Sequence, residues 1–171
     1  MELGKLKRTE TIFLIFVIGS IIGWIYEEIF YYFQEGHIVD RGFMTGPWLP
    51  IYGIGAVVMI LALKWLKQWP PLVFVFGMLL TGILEWGTGA FIMQVWHKRM
   101  WDYTGLFMNI GGFVCLRSVL TFAIGGIALI YFIEPFVEKC MYCMKAKTAN
   151  IIAGVFLVIM IVDLVHHILT V

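Results

Sequence analysis

Charged residues are scarce in this sequence. They make up 13% of the 171 residues, whereas 61% are hydrophobic and the mean hydropathy is +0.93. A soluble globular protein carries about 25% charged and roughly 45–50% apolar residues. The shortage of charge excludes a water-soluble domain, and the surplus of apolar residues excludes a disordered chain. The remaining class is an integral membrane protein.

A surplus of positive charge is also missing. The chain has 12 Lys and Arg against 11 Asp and Glu, a formal net charge of +1. A protein that binds nucleic acid needs a basic surface to neutralise phosphates. The balance of charge therefore excludes a nucleic-acid partner.

The alternation of apolar and polar residues that marks a barrel strand is absent too. Residues 12–22, 54–63 and 151–162 are unbroken apolar runs, which do not fit lipid-facing strands. Because backbone groups in hydrocarbon need partners within their own segment, such runs must be helices. We predict an all-α polytopic membrane protein, a bundle of about five transmembrane helices with two structured outer loops, in a single membrane domain of residues 1–171.

Helix signals and length set the predicted spans, since about 20 residues cross the hydrocarbon core. Thr9, Glu10 and Thr11 resemble a capping sequence before the first span, and Pro70-Pro71 marks the start of the third. Pro135 interrupts the fourth near its end. The five predicted spans are 11–33, 50–66, 71–95, 118–136 and 148–170.

Basic residues predict the orientation. With five spans, eight of the 12 Lys and Arg lie on the side of the N-terminus and four on the other side. Lys and Arg accumulate on the cytoplasmic side. We therefore expect a cell-membrane protein with its N-terminus in the cytoplasm and its C-terminus outside.

Two carboxylates lie on stripes of small residues within predicted spans. Gly19, Gly23 and Glu27 recur every four residues, and Gly77 leads to Glu85 in the same way. A small-residue stripe lets another helix approach closely, and an ionisable group within a span is costly enough to indicate function. Two alternatives stay open: solvation at the headgroup layer, and for Glu85 an ion pair with Arg117.

The fifth predicted span carries Asp163, followed at one-turn spacing by His166 and His167. The pattern leaves open whether these residues are functional or only interfacial.

Three cysteines are present, and Cys140 and Cys143 form a lone C-x-x-C. Zinc normally takes four ligands, so we predict neither a metal site nor a cofactor.

Both predicted outer connections are rich in aromatic residues. The first, residues 41–55, contains Gly46-Pro47 and Pro50 beside Trp48 and Tyr52. Exposed loops rarely carry so many aromatics, so we expect this segment to be tucked into the protein. The second, residues 96–117, is long enough to form a lid.

The motif residues in and around these loops resemble the ABC-transporter type IV (CmpB-like) integral membrane family over about residues 15–130. The specific part is the run Arg41-Gly-Phe-x-x-Gly-Pro-Trp-x-Pro-Ile-Tyr-Gly-x-Gly55. The resemblance implies a bacterial multi-span protein that takes part in transport. The family pattern has a Gly-Arg pair soon after the asparagine, whereas this chain has Gly112-Phe113. The matching motif positions are Trp24, Glu27, Arg41, Gly46, Pro47, Pro50, Tyr52, Gly53, Glu85, Trp101, Asp102, Tyr103 and Asn109.

These features predict a substrate-capture or permease-like subunit with an outward-facing polar and aromatic cavity. The excess of carboxylates favours a small substrate that is cationic or donates hydrogen bonds. No phosphate-binding G-x-x-x-x-G-K-[ST] loop is present, so an ATP-driven system would need a separate ATPase subunit. The predicted substrate-binding residues are Glu27, Glu85, Asp102, Asn109, Arg41, Trp24, Trp48, Tyr52, Trp101, Tyr103 and Arg117.

Two other functions stay open at this point. One is a membrane-embedded enzyme that uses Glu, Asp and His side chains for acid–base or metal chemistry on an amphipathic substrate. The other is an accessory subunit in which the same residues only pack helices. The sequence leaves the substrate, the direction of transport and the oligomeric state undetermined.

Overall fold

The structure, a computed structural model, describes residues 2–37 and 44–170. Over these residues the protein is all-helical, with 79% helix and no strands. The predicted fold class is therefore confirmed.

Five helices account for this content within the described residues. Four of them are long and apolar enough to cross a membrane, and the second is shorter. Its α-helical part and the 3-10 turn that follows reach Leu66, which is near the lower length limit for a span. The helices are α1 Glu2–Glu35, α2 Pro50–Leu63 with the turn Lys64–Leu66, α3 Pro70–Trp96, α4 Leu116–Cys143 and α5 Ala146–Thr170.

The ends of α3 follow from local chemistry. Pro70 and Pro71 occupy its first turn, where a missing N–H costs no hydrogen bond. At the other end His97 adopts the left-handed conformation at φ 52°, and its N–H bonds to the carbonyl of Met93. This is the common way in which a helix stops.

The beginning of α1 differs from the prediction. Thr9, Glu10 and Thr11 lie inside α1, which begins at Glu2, so they do not cap it. Glu10 instead has a tertiary partner, because the Asn150 amide, in the orientation that satisfies its neighbours, donates to Glu10 Oε1 at 3.1 Å.

The fourth helix also runs further than predicted. Pro135 was expected to interrupt it near residue 136, yet α4 continues to Cys143. Pro135 lacks an N–H, and its ring would collide with the carbonyl of Tyr131 in a regular α-helix. The turn Leu129–Ile133 is π-helical, and this wider turn lets the chain pass the proline without ending the helix.

The chain divides into two compact units. The first comprises residues 1–58 and 133–171, and the second comprises residues 59–132. In the first unit α1 packs against α5 and the final part of α4, with a buried cluster of Val17, Met44, Trp48 and Met160. In the second unit α3 packs against the first part of α4.

Glycines set the approach of α1 to α2 in the first unit, which confirms the role predicted for the small-residue stripe. A Cβ atom added at Gly19 would lie 2.8 Å from Ala56 Cβ and 3.3 Å from Gly53 Cα. One added at Gly23 would overlap the ring of Tyr52. Only glycine at these positions lets Tyr52 pack directly on the backbone of α1.

We expect Gly23→Ala to lower the free energy of unfolding by about 1–3 kcal/mol, the usual cost of overpacking, because the new methyl group collides with Tyr52. The matched control is Gly55→Ala, since nothing lies within 4 Å of a Cβ atom added there. We expect the control to be at least as stable as the wild type, because alanine has a higher helix propensity than glycine. Thermal unfolding in detergent measures both, and equal stability of the two variants would contradict this packing.

Candidate functional site

The carboxylate of Glu85 is the centre of a polar network in the second unit. Glu85 lies inside α3 and is partly buried. Its Oε1 accepts a hydrogen bond from Tyr103 Oη at 2.9 Å, and its Oε2 accepts one from Ser118 Oγ at 2.6 Å. Both of these partners are neutral hydroxyl groups.

Ser118 is positioned by the start of α4. Its Oγ accepts from the Cys115 backbone N–H at 3.2 Å, while its own N–H bonds to Cys115 Sγ at 3.5 Å. This reciprocal pair is a capping box in which cysteine replaces the usual serine or threonine. Ser118 Oγ also lies 2.8 Å from the carbonyl oxygen of Cys115. One hydroxyl proton therefore has two alternative acceptors, Glu85 and that carbonyl.

Tyr103 comes from the connection between α3 and α4, residues 97–115, which is folded by its own hydrogen bonds. The N–H of Tyr103 bonds to the carbonyl of Gly112 at 2.9 Å. The indole N–H of Trp101 donates to the carbonyl of Phe113 at 2.8 Å. These bonds tie the two arms of the connection together and fix the tyrosine that contacts Glu85.

Arg99 and Asp102 add a polar corner to the same connection. Arg99 donates to Asp102 Oδ1 and to the carbonyl of Gly111, each at 3.2 Å, and its guanidinium lies 4.8 Å from the ring centroid of Phe113. Asp102 also accepts from the side chain of Thr104 at 2.6 Å and from its N–H at 2.9 Å. These bonds from Thr104, with the charge of Arg99, hold the pKa of Asp102 below its ordinary value of 3.8.

The remaining predicted residues of the second unit are exposed. Asn109 donates to the carbonyl of Leu106 at 2.9 Å, which stabilises a turn of the connection. Arg117 lies in the first turn of α4, and its carbonyl accepts from Thr121 at 2.9 Å.

The first unit contains the other predicted carboxylate, Glu27. Its Oε1 accepts a hydrogen bond from Tyr52 Oη at 2.9 Å. This is the same tyrosine whose ring packs on Gly23. Trp24 is half-buried on α1, and Arg41 lies outside the described residues.

Trp48, one of the predicted substrate-binding residues, contacts α5 in the structure. It is buried, and its indole N–H donates to Asp163 Oδ2 at 2.8 Å. The same oxygen accepts from the N–H of Gly46 at 3.0 Å. Asp163 therefore joins the α1–α2 connection to α5.

The structure brings together the pairs Glu27–Tyr52 and Glu85–Tyr103. These two pairs belong to different compact units, and their convergence in one cavity stays a prediction. Among residues 2–37 and 44–170, no group of three or more His, Cys, Asp or Glu side chains could hold a metal ion.

Two polar residues, Ser118 and Glu134, escaped the sequence analysis, and a third, Asp163, was named there without an assigned role. Ser118 carried no signal except its position three residues after Cys115, and Asp163 was left undecided. The sequence analysis did not single out Glu134, only 1% of which is exposed. Its spacing from Val137 and Met141, which are also buried, places it on the inner stripe of α4, and this spacing could have identified it.

The lowered pKa of Asp102 predicts that the stability of the 97–115 connection depends on pH. Because the pKa of Asp102 is lowered in the folded protein, its carboxylate stabilises the connection fully above pH 3.8. This stabilisation is lost as the pH falls through the lower pKa of the folded protein. In the Asp102→Asn variant, we expect the backbone amides of this connection to be less protected from hydrogen exchange at neutral pH. The loss of protection that the wild type shows on acidification should also disappear. Hydrogen exchange of the peptide, corrected for intrinsic rates, measures both effects. Equal protection of the two proteins at pH 7 would contradict this role.

Comparison with known proteins places the chain in a family. The family described as "Putative ABC-transporter type IV" matches residues 14–168. The match extends beyond the resemblance visible in the motifs and covers well over half of the chain. No curated protein and no solved structure matches the sequence. The chain is therefore a member of the ABC-transporter type IV family, a multi-pass membrane protein related to transporters.

Proposed function

We propose that the protein is the substrate-capture or permease-like subunit of a membrane transporter, and that Glu85 binds a small cationic or hydrogen-bond-donating substrate. The observation that carries the proposal is the pair of neutral hydroxyl donors, Tyr103 and Ser118, on its two carboxylate oxygens. An intramembrane carboxylate held in this way keeps its capacity to attract a positive group.

The second acceptor of Ser118 supports exchange of partners at this site. When a substrate donor takes Glu85 Oε2, the Ser118 hydroxyl can turn to the Cys115 carbonyl, 2.8 Å away. The carboxylate changes partner while the serine keeps its hydrogen bond. Exchange therefore avoids the cost of leaving a buried hydroxyl unsatisfied.

The position of Tyr103 links the site to the connection that precedes α4. This connection supplies one of the two donors, so movement of residues 97–115 would release Glu85 Oε1. The proposal therefore assigns to this segment the role of a lid. Because the sequence has no phosphate-binding loop, the proposal also assigns any use of ATP to a separate ATPase subunit.

We expect small organic cations such as choline and spermidine to raise the unfolding temperature of the detergent-purified protein. Ligand at 100 times its Kd contributes about 2.7 kcal/mol. Glu85→Gln should weaken binding about tenfold or more, because a hydrogen bond to a charged group contributes about 1.5–3 kcal/mol. The matched control is Glu138→Gln, which removes an exposed carboxylate from α4 and should bind normally. Unchanged affinity in Glu85→Gln would remove Glu85 from the site.

The proposed orientation, with a cytoplasmic N-terminus, places the 97–115 connection outside and the α4–α5 connection inside. Cys143, the last residue of α4, is exposed directly before the latter, and Lys98 is exposed in the former. We expect a membrane-impermeant maleimide to label Lys98→Cys in intact cells, and Cys143 only after permeabilisation. Lys98→Cys is combined with Cys140→Ser and Cys143→Ser, so that these two native cysteines do not react with the maleimide. The reverse labelling pattern would reverse the orientation.

A further inference from the structure

An apolar groove lies between the first halves of α1 and α2, within the first unit. Its volume is about 340 Å³, at the lower end of the range for small-molecule sites. Its walls are formed by Ile12, Phe13 and Phe16 of α1 with Ile54, Val57 and Val58 of α2. We call it the α1–α2 groove.

The groove occupies the first turns of a membrane-spanning segment. The apolar span of α1 begins at Arg8, and the groove extends from Thr9 to Phe16. Seven residues of helix rise about 10 Å. The groove therefore begins beside the end of the span and continues into the depth at which lipid acyl chains lie.

Basic residues precede the groove on α1. Arg8 is exposed and stands four residues before Ile12, which lines the groove. Positions four apart share a helix face. The end of the apolar groove thus adjoins positive charge, and basic clusters beside a span favour anionic lipid headgroups.

We propose that the α1–α2 groove is a specific binding site for one anionic phospholipid. One acyl chain lies against Phe13, Phe16 and Ile54, and the phosphate group lies against Arg8. A second copy of the chain is a poorer occupant. Two copies with the same orientation in one membrane would bring their Arg8 side chains together at this face, and like charges repel.

Native mass spectrometry of the detergent-purified protein tests the site with dioleoylphosphatidylglycerol and dioleoylphosphatidylcholine as probes. We expect one phosphatidylglycerol to be retained much more strongly than phosphatidylcholine. Arg8→Gln should weaken its retention about fivefold, the factor for about 1 kcal/mol per basic residue at an anionic surface. Lys147→Gln, which removes an exposed charge from α5, is the matched control and should bind normally.

Ile54→Trp fills the groove at a position that is 57% exposed and should abolish retention of the single lipid. Circular dichroism checks that this variant is folded, and Arg8→Gln tests the site independently if it is not. Equal retention of the two lipids, or retention of phosphatidylglycerol by folded Ile54→Trp, would overturn the proposal. So would a dimer that Ile54→Trp dissociates, because the groove would then hold a second copy.

Discussion

The central constraint on this protein is the cost of a polar group in hydrocarbon, where no water can replace a missing partner. Three carboxylates within its apolar helices meet this constraint in the same way. Glu27, Glu85 and Asp163 each accept a hydrogen bond from a side chain that lies in, or directly after, a connection between helices. Each of these partly buried hydrogen bonds ties a connection, or the helix turn directly after it, to another helix.

Close helix packing makes these contacts possible. Tyr52 reaches Glu27 because Gly23 leaves room for its ring on the surface of α1. Ser118 reaches Glu85 because the start of α4 is fixed by the capping box with Cys115. In both cases a local backbone feature, a missing side chain or a helix cap, sets the position of a donor whose acceptor is on another helix.

The sequence predicted the helices well because long apolar runs and paired prolines are local signals. The sequence predicted less well those structural features that depend on residues far apart in the chain. The α4 helix passes Pro135 because a π-helical turn absorbs the proline, and the residues beyond it pack against α1. The Glu85–Ser118 pair joins positions 33 residues apart, and the Trp48–Asp163 pair joins positions 115 apart. A single sequence carries no record of such pairings, so Glu85 was identified as a candidate while its serine partner was not.

Asp163 and Glu85 differ in the kind of donor that holds their carboxylates. Asp163 is held by an indole N–H and a backbone N–H, donors whose directions are fixed by the ring and the chain, so a substrate could replace them only by disrupting a buried cluster. The donors on Glu85 are hydroxyl groups, which rotate and can also accept. The Ser118 hydroxyl even has a second acceptor within 2.8 Å. Of the two, only Glu85 can exchange a partner without leaving a buried donor unsatisfied, and the proposed substrate site requires such exchange, because a substrate has to enter and leave it.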